Sequence, residues 1–208
     1  MGRKNLVMFP IIVAAAIGGF LLVNKLADTN SQATGTSHSR VVDIPLTDGD
    51  GRSFTLAAWP QQWTVLFFGY ASCPDVCPMS LAYLSKELRS LGDLAHRVQP
   101  VFISVDPQRD RPEVLKQYVA AFDKQIIGAT STADNLSELA KKLGVFYEVQ
   151  PDSAKPGTTP GESPNYTIVH SGAFFILKPD GTVAKTLSPP QAPGDLSDAL
   201  REIFSTGV

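Results

Sequence analysis

An α/β domain, with a central sheet covered by helices on both faces, is what the sequence predicts from residue 41 onward. Two observations carry this expectation. Residues 63–68 (WTVLFF) and 98–105 (VQPVFISV) are near-continuous apolar runs of strand length, the pattern of strands buried on both faces. Between and after them the apolar period becomes helical, at Leu81, Leu84, Leu88 and Leu91, then at Leu136, Leu139, Ala140 and Leu143.

The elements follow in order. Residues 48–51 (DGDG) are a turn signal, and 53–56 complete a small hairpin. The strand at 63–68 leads to a helix over 79–91 and then to the strand at 98–105. Pro112 suits the first turn of a helix that runs to about Phe122. Residues 126–129 read as a short strand. Thr132 caps a helix that ends at Gly144. Residues 151–165 contain four prolines and two glycines and read as a loop. Strands over 173–177 and 182–186, joined by Lys178-Pro179-Asp180-Gly181, make a β-hairpin. A helix over 196–204 closes the chain. This order, with a cysteine pair just after the first central strand, predicts a thioredoxin-like three-layer α/β/α domain, and the handedness of crossovers restricts the remaining topology.

Composition narrows the function. The 208 residues are 43% hydrophobic and 18% charged, with a net charge of −2. Nothing signals disorder, and no basic surface invites nucleic acid. Residues 6–23 carry no charge over 18 positions and follow Arg3 and Lys4. As a helix they span roughly 27 Å, enough for a bilayer core. Residues 1–27 are therefore expected to be a transmembrane anchor with a cytoplasmic N-terminus. That makes the chain a single-pass protein of a bacterial inner membrane with its domain in the periplasm. A cleaved signal peptide is the alternative, although the run is long for one and no small-x-small site follows its end. No cysteine stands there either, which argues against a lipoprotein anchor. Residues 28–40 (DTNSQATGTSHSR) read as a flexible tether, and 41–208 as the domain.

The chain has two cysteines, Cys73 and Cys77. Both follow a buried strand at the start of a helix, where unpaired N–H groups and the helix dipole lower a thiol's pKa. Thiol–disulfide oxidoreductases usually separate their cysteines by two residues, but here there are three. At i and i+4 the two side chains are expected on one helical face, about 6 Å apart at Cα. A disulfide can bridge that distance, and two sulfurs can also converge there on one ion, which would need a third donor. Of the three histidines, His38 lies in the tether and His96 after the first helix, at the far end of the domain. His170 leads into the hairpin strand, which in this topology lies beside the cysteine helix. Two thiolates and one imidazole suit Cu(I) and can hold Cu(II), whereas a closed zinc site wants a fourth ligand. A disulfide without metal stays open as a reading of the cysteines, and an ordinary loop residue as a reading of His170.

At Cys73-Pro74-Asp75-Val76-Cys77-Pro78 the sequence resembles the Sco/SenC family of membrane-tethered, thioredoxin-fold copper proteins. The likeness continues through Ile103-Ser104-Val105-Asp106-Pro107-Gln108-Arg109-Asp110 and His170-Ser171, and covers about residues 41–204. The resemblance implies copper ligation by Cys73, Cys77 and His170. It also implies a role in supplying copper to a cytochrome c oxidase subunit, or in reducing that subunit's cysteines. Asp106 is expected near the site, either as a partner that orients His170 or as a turn-forming residue, and Arg109 with Asp110 as a local ion pair. Two positions depart from the common pattern: Ser72 precedes the first cysteine and Val169 precedes the histidine. Neither is a ligand position.

Two functions emerge. One is a copper metallochaperone for a cytochrome c oxidase subunit or another exported copper protein. The other is a thiol–disulfide oxidoreductase with Cys73 as nucleophile and Cys77 as resolving thiol, which does not need His170. A peroxidase and a redox or copper sensor lack specific support.

Overall fold

The computed structural model describes residues 40–151 and 166–206. The anchor at 1–27, the tether as far as residue 39, and residues 152–165 of the proline-rich stretch lie outside the described residues. Among the described residues no helix is long and apolar enough to cross a membrane.

Leu46–Asp48 (β1) pairs antiparallel with Ser53–Phe54 (β2), the hairpin expected around the DGDG turn. Trp63–Gly69 (β3) is buried along its whole length, and Val76–Ser90 (α1) follows it. Val98–Ser104 (β4) is equally buried and runs parallel to β3, in a register from Trp63↔Val98 to Gly69↔Ser104. Parallel neighbours need a crossover, and α1 supplies it. Pro112–Ala120 (α2) begins with proline in its first turn and leads to Ile127–Thr130 (β5), parallel to β4. Ala133–Leu143 (α3) has both expected caps. The Thr132 side chain accepts from the Asn135 N–H, and Gly144 ends the helix at φ 68°, a left-handed conformation open to glycine.

Tyr147–Pro151 (β6) and Tyr166–His170 (β7) pair with each other in a separate two-stranded sheet. Phe174–Leu177 (β8) returns to the main sheet antiparallel to β3, and Val183–Leu187 (β9) pairs with β8. Asp195–Thr206 (α4) closes the domain. The main sheet has seven strands in the order β2-β1-β5-β4-β3-β8-β9.

Because β3 and β4 are buried throughout, both faces of the sheet's centre are covered. On one face Phe67 packs against Phe102 and Phe174, with ring centroids 6.1 and 5.0 Å apart. On the other, Phe68 meets Phe175 edge-on. Helix α1 buries Leu81, Leu84 and Leu88. Its Glu87, only 3% exposed, reaches the start of α4, where its two carboxylate oxygens accept from the Gly194 and Ser197 N–H groups at 3.0 Å each. The carboxylate satisfies donors that a helix N-terminus leaves unpaired and faces the positive end of its dipole.

The β6–β7 ribbon departs from the sequence expectation. Its strands flank a proline-rich stretch, so their pairing is non-local, although exposure in β7 does alternate along the strand. Helix α1 also starts earlier than residue 79. Pro78 falls in its first turn, where a missing N–H costs nothing.

Candidate metal centre

The site lies at the ends of β3 and β4, where the chain leaves Gly69. Tyr70 to Cys73 form a tight turn closed by the Cys73 N–H to the Tyr70 carbonyl, 3.2 Å. Cys73 therefore precedes α1 instead of sharing a face with Cys77, and the i, i+4 expectation is corrected. The physical reason is proline. Pro74 disfavours helical backbone at Cys73, and Asp75 is also non-helical, at φ −139° and ψ −75°.

Cys77 belongs to the buried stripe of α1, four residues before Leu81, and its residue exposure is 0%. Its sulfur sits over Gly69: a Cβ at that position would lie 2.6 Å from Sγ and 2.9 Å from the Phe102 ring. Only glycine leaves room for this sulfur.

The two thiols are consequently unequal. Burial acts to raise the Cys73 thiol, but hydrogen bonds from the Asp75 and Cys77 backbone, together with the Cys77 and Tyr70 side chains, outweigh it and hold Cys73 below the ordinary value. The helix N-terminus thus acts on the sulfur just outside it. Burial pushes the Cys77 thiol far up, with the Cys73 charge adding to the effect and a Tyr70 backbone hydrogen bond opposing it. The sequence expectation of a lowered pKa holds for Cys73 and fails for Cys77. Both cysteines are free thiols.

His170 ends β7, with its ring edge-on to Phe67 and Tyr70 at centroid distances of 6.1 and 6.0 Å. Its Nδ1 lies 3.2 Å from the Ser171 carbonyl oxygen, and its Nε2 lies 3.2 Å from Cys77 Sγ. A carbonyl only accepts, so Nδ1 carries the proton and Nε2 turns a lone pair toward the sulfurs. Burial lowers the His170 pKa, opposed by the Ser171 hydrogen bond, and this favours the neutral, ligating form.

The three donor atoms lie within 4.8 Å of one another. A three-coordinate ion with bonds of about 2.0–2.3 Å needs ligand separations of roughly 3.5–4 Å, so small side-chain shifts close the set. Two sulfurs and one imidazole are soft donors that fit copper. The structure therefore brings together the three residues singled out in the sequence. His96 lies before β4, at the opposite end of the strands, and His38 is outside the described residues.

Two neighbouring expectations are corrected. Asp106 does not touch His170, whose Nδ1 is satisfied by its own strand's next carbonyl. The turn-forming reading of Asp106 holds: its carbonyl accepts from the Asp110 N–H at 2.9 Å and its Oδ1 from the Arg109 N–H at 3.4 Å. Its carboxylate also accepts from the Tyr166 hydroxyl and pairs with Arg109. Arg109 therefore pairs with Asp106, not Asp110. Asp110, 1% exposed, accepts from the Ala71 N–H at 2.7 Å and the Ser104 hydroxyl at 2.6 Å, which ties the cysteine turn to β4. Sequence reasoning overlooked Gly69 as a contact surface, and it overlooked Tyr70 and Tyr166. One available signal was the stripe of α1, since stepping back four residues from Leu81 reaches Cys77.

Comparison with known proteins agrees with this geometry. The yeast (Saccharomyces cerevisiae) mitochondrial protein SCO2 is 38% identical over 137 residues, 65% of this chain and 43% of that protein. The Bos taurus mitochondrial SCO2 homologue is 29% identical over 208 residues, 96% of this chain and 75% of the relative. The chain thus spans under half of the first relative's length. Among solved structures, yeast Sco1 with copper bound is 31% identical, with a TM-score of 0.68 covering 79% of this chain and 88% of that one. Bradyrhizobium japonicum ScoI with copper bound is 30% identical, with a TM-score of 0.66 covering 76% and 96%. These neighbours share the mixed α/β, thioredoxin-like fold. Residues 32–205 match the SCO1/SenC family model, so the two sulfurs and the imidazole described above are carried by a chain that belongs to the SCO1/SenC family.

Proposed function

We propose that this chain is a copper carrier. Cys73, Cys77 and His170 hold one copper ion, Cu(I) or Cu(II), and pass it to a cytochrome c oxidase subunit or another exported copper protein. The observation that carries the reading is the donor set, two thiol sulfurs and a lone-pair-bearing Nε2 within 4.8 Å. The chain's likeness to Sco proteins solved with copper bound supports the choice of metal. Cys73 and His170 are only partly buried, whereas Cys77 is enclosed. Such a site is open on one side, as ligand exchange with a second protein requires. The test is a copper titration of the reduced full chain in detergent. Uptake should stop at one equivalent, and a chain that retains no copper against a chelator would overturn the reading.

In the same reading residues 1–27 anchor the chain in a bacterial inner membrane, 28–40 tether it, and 41–208 face the periplasm. The uncharged run at residues 6–23 behind Arg3 and Lys4 supports this. Membranes washed at alkaline pH should keep the chain, and its appearance in the wash would remove the anchor.

A second reading, thiol–disulfide exchange, is favoured by one observation. The more exposed sulfur, Cys73, is held in the reactive direction while the buried Cys77 is pushed the other way. That is the asymmetry of an attacking and a resolving thiol. The two activities are compatible, since reducing a recipient's cysteines prepares them for copper.

A further inference from the structure

We propose that Asp106 and Arg109 are positioning residues which, through Tyr166, fix the β6–β7 ribbon at the setting where His170 meets Cys77. The proposal rests on the copper reading above.

His170 is carried by a ribbon that shares no backbone hydrogen bond with the main sheet. Its contacts with the rest of the domain are therefore made by side chains and by a few single bonds. Ile168 and Tyr166 are buried, and Tyr147 and Val149 pack against the core. Apolar burial presses the ribbon inward but is non-directional, and does not by itself fix tilt or position along the strand. One directional bond joins the Ile168 backbone to the Tyr70 side chain, and a cluster of others gathers at Tyr166. Its carbonyl accepts from Arg109 Nη1 at 2.9 Å, and its hydroxyl donates to Asp106. The Arg109 guanidinium lies over its ring, 3.6 Å from the centroid. Arg109 Nε binds the other Asp106 oxygen, which closes the triangle. Asp106 is 2% exposed and Tyr166 7%, so these charge-assisted bonds are shielded from water.

The triangle ties the imidazole to the part of the domain that carries the sulfurs. Tyr166, Ile168 and His170 alternate on one face of β7, so a shift at Tyr166 is carried along about 13 Å of strand to the imidazole. Asp106 and Arg109 follow β4 directly, and the Val105 N–H bonds the Gly69 carbonyl at 2.9 Å, next to the cysteine turn. The Arg109 guanidinium also lies 5.5 Å from the Tyr70 ring, which touches His170. The sulfur half and the imidazole half of the site thus meet at Arg109. Arginine is specifically needed. A lysine would neutralise Asp106 equally well, but it lacks the planar fork that reaches the Tyr166 carbonyl while lying flat on its ring.

The discriminating variant is therefore Arg109→Lys in the reduced full chain. Copper release to a chelator should accelerate at least about 10-fold, the usual scale for losing a residue that orients a ligand. In the metal-free chain, amide hydrogen exchange at Ile168, whose backbone bonds the Tyr70 side chain, should accelerate while β3 and β4 keep their protection. Combined with His170→Ala, Arg109→Lys should add nothing to copper release, because both act through one imidazole. Wild-type release and exchange in Arg109→Lys, or effects that multiply with His170→Ala, would overturn the proposal. Should Arg109→Lys not fold, Tyr166→Phe, which removes only the hydroxyl bond to Asp106, decides by the same readouts. If the wild-type chain takes up no copper, the copper reading falls, while the metal-free exchange still judges the triangle.

Discussion

Replacing His170 with alanine is expected to accelerate copper loss by at least about 100-fold and to leave thiol exchange intact. Removing a residue that merely orients a ligand typically costs 10–100-fold in affinity, so removing one of three donors exceeds that range. The Nε2 lone pair faces Cys77 Sγ at 3.2 Å, and among the described residues no other cluster of histidine, cysteine or acidic side chains is placed to take over. In the Cu(II) form, the nitrogen signature in electron paramagnetic resonance should vanish with the imidazole. The dithiol has no such dependence. Hydrogen bonds from the backbone of Asp75 and Cys77 and the side chains of Cys77 and Tyr70, which outweigh burial, hold the Cys73 thiol down, and none of them involves His170. Exchange by Cys73 should therefore persist in the variant. Its rate should rise with pH through a midpoint below that of an ordinary thiol, because a lowered pKa moves thiolate formation to lower pH. The same substitution thus separates the two proposed activities. Wild-type copper retention in His170→Ala would remove the imidazole from the site.

Gly69→Ala is the second large effect, and it works through the buried sulfur. The added methyl would stand 2.6 Å from Cys77 Sγ and 2.9 Å from Phe102, where ordinary contacts lie near 3.5–4.0 Å. Something must move by about 1 Å. Phe102 is fully buried beneath Phe67 and Tyr118, so it has little freedom. Cys77 is equally enclosed, and its sulfur already lies 3.2 Å from the imidazole. Overpacking of this kind costs about 1–3 kcal/mol, a fall of roughly 3–10 °C in the melting temperature of a domain this size. Copper release should accelerate alongside, because the displaced sulfur is a proposed ligand. An unchanged melting temperature together with unchanged copper retention would show that the methyl is accommodated without moving the sulfur.

Most of the scaffold was legible because it depends on local patterns. The unbroken runs WTVLFF and VQPVFISV do form the two buried central strands, and Thr132 and Gly144 do cap α3 as their residue types suggest. The hairpin of β8 and β9 follows its turn sequence, displaced by one residue at the second strand. The β6–β7 ribbon was not legible. Its strands are five residues each, and they find one another only across the intervening proline-rich stretch. Asp106 and Arg109 were visible as motif residues, but the partner they share, Tyr166, lies more than fifty positions away.

The primary structure alone settled which atoms were available: two sulfurs on one short segment, a single histidine placed to join them, and a strand order that delivers both to the same end of a sheet. Folding in three dimensions settled what those atoms are. It placed Cys73 outside the helix, where N–H groups reach it, and Cys77 inside the core, where burial disfavours the thiolate. It turned Nε2 rather than Nδ1 toward the sulfurs, because the Ser171 carbonyl, which only accepts, lies against Nδ1. Spacing along a chain records which residues are near in sequence, whereas burial and hydrogen-bond direction depend on Gly69, Phe102 and Tyr166, which meet the site only once the sheet has formed.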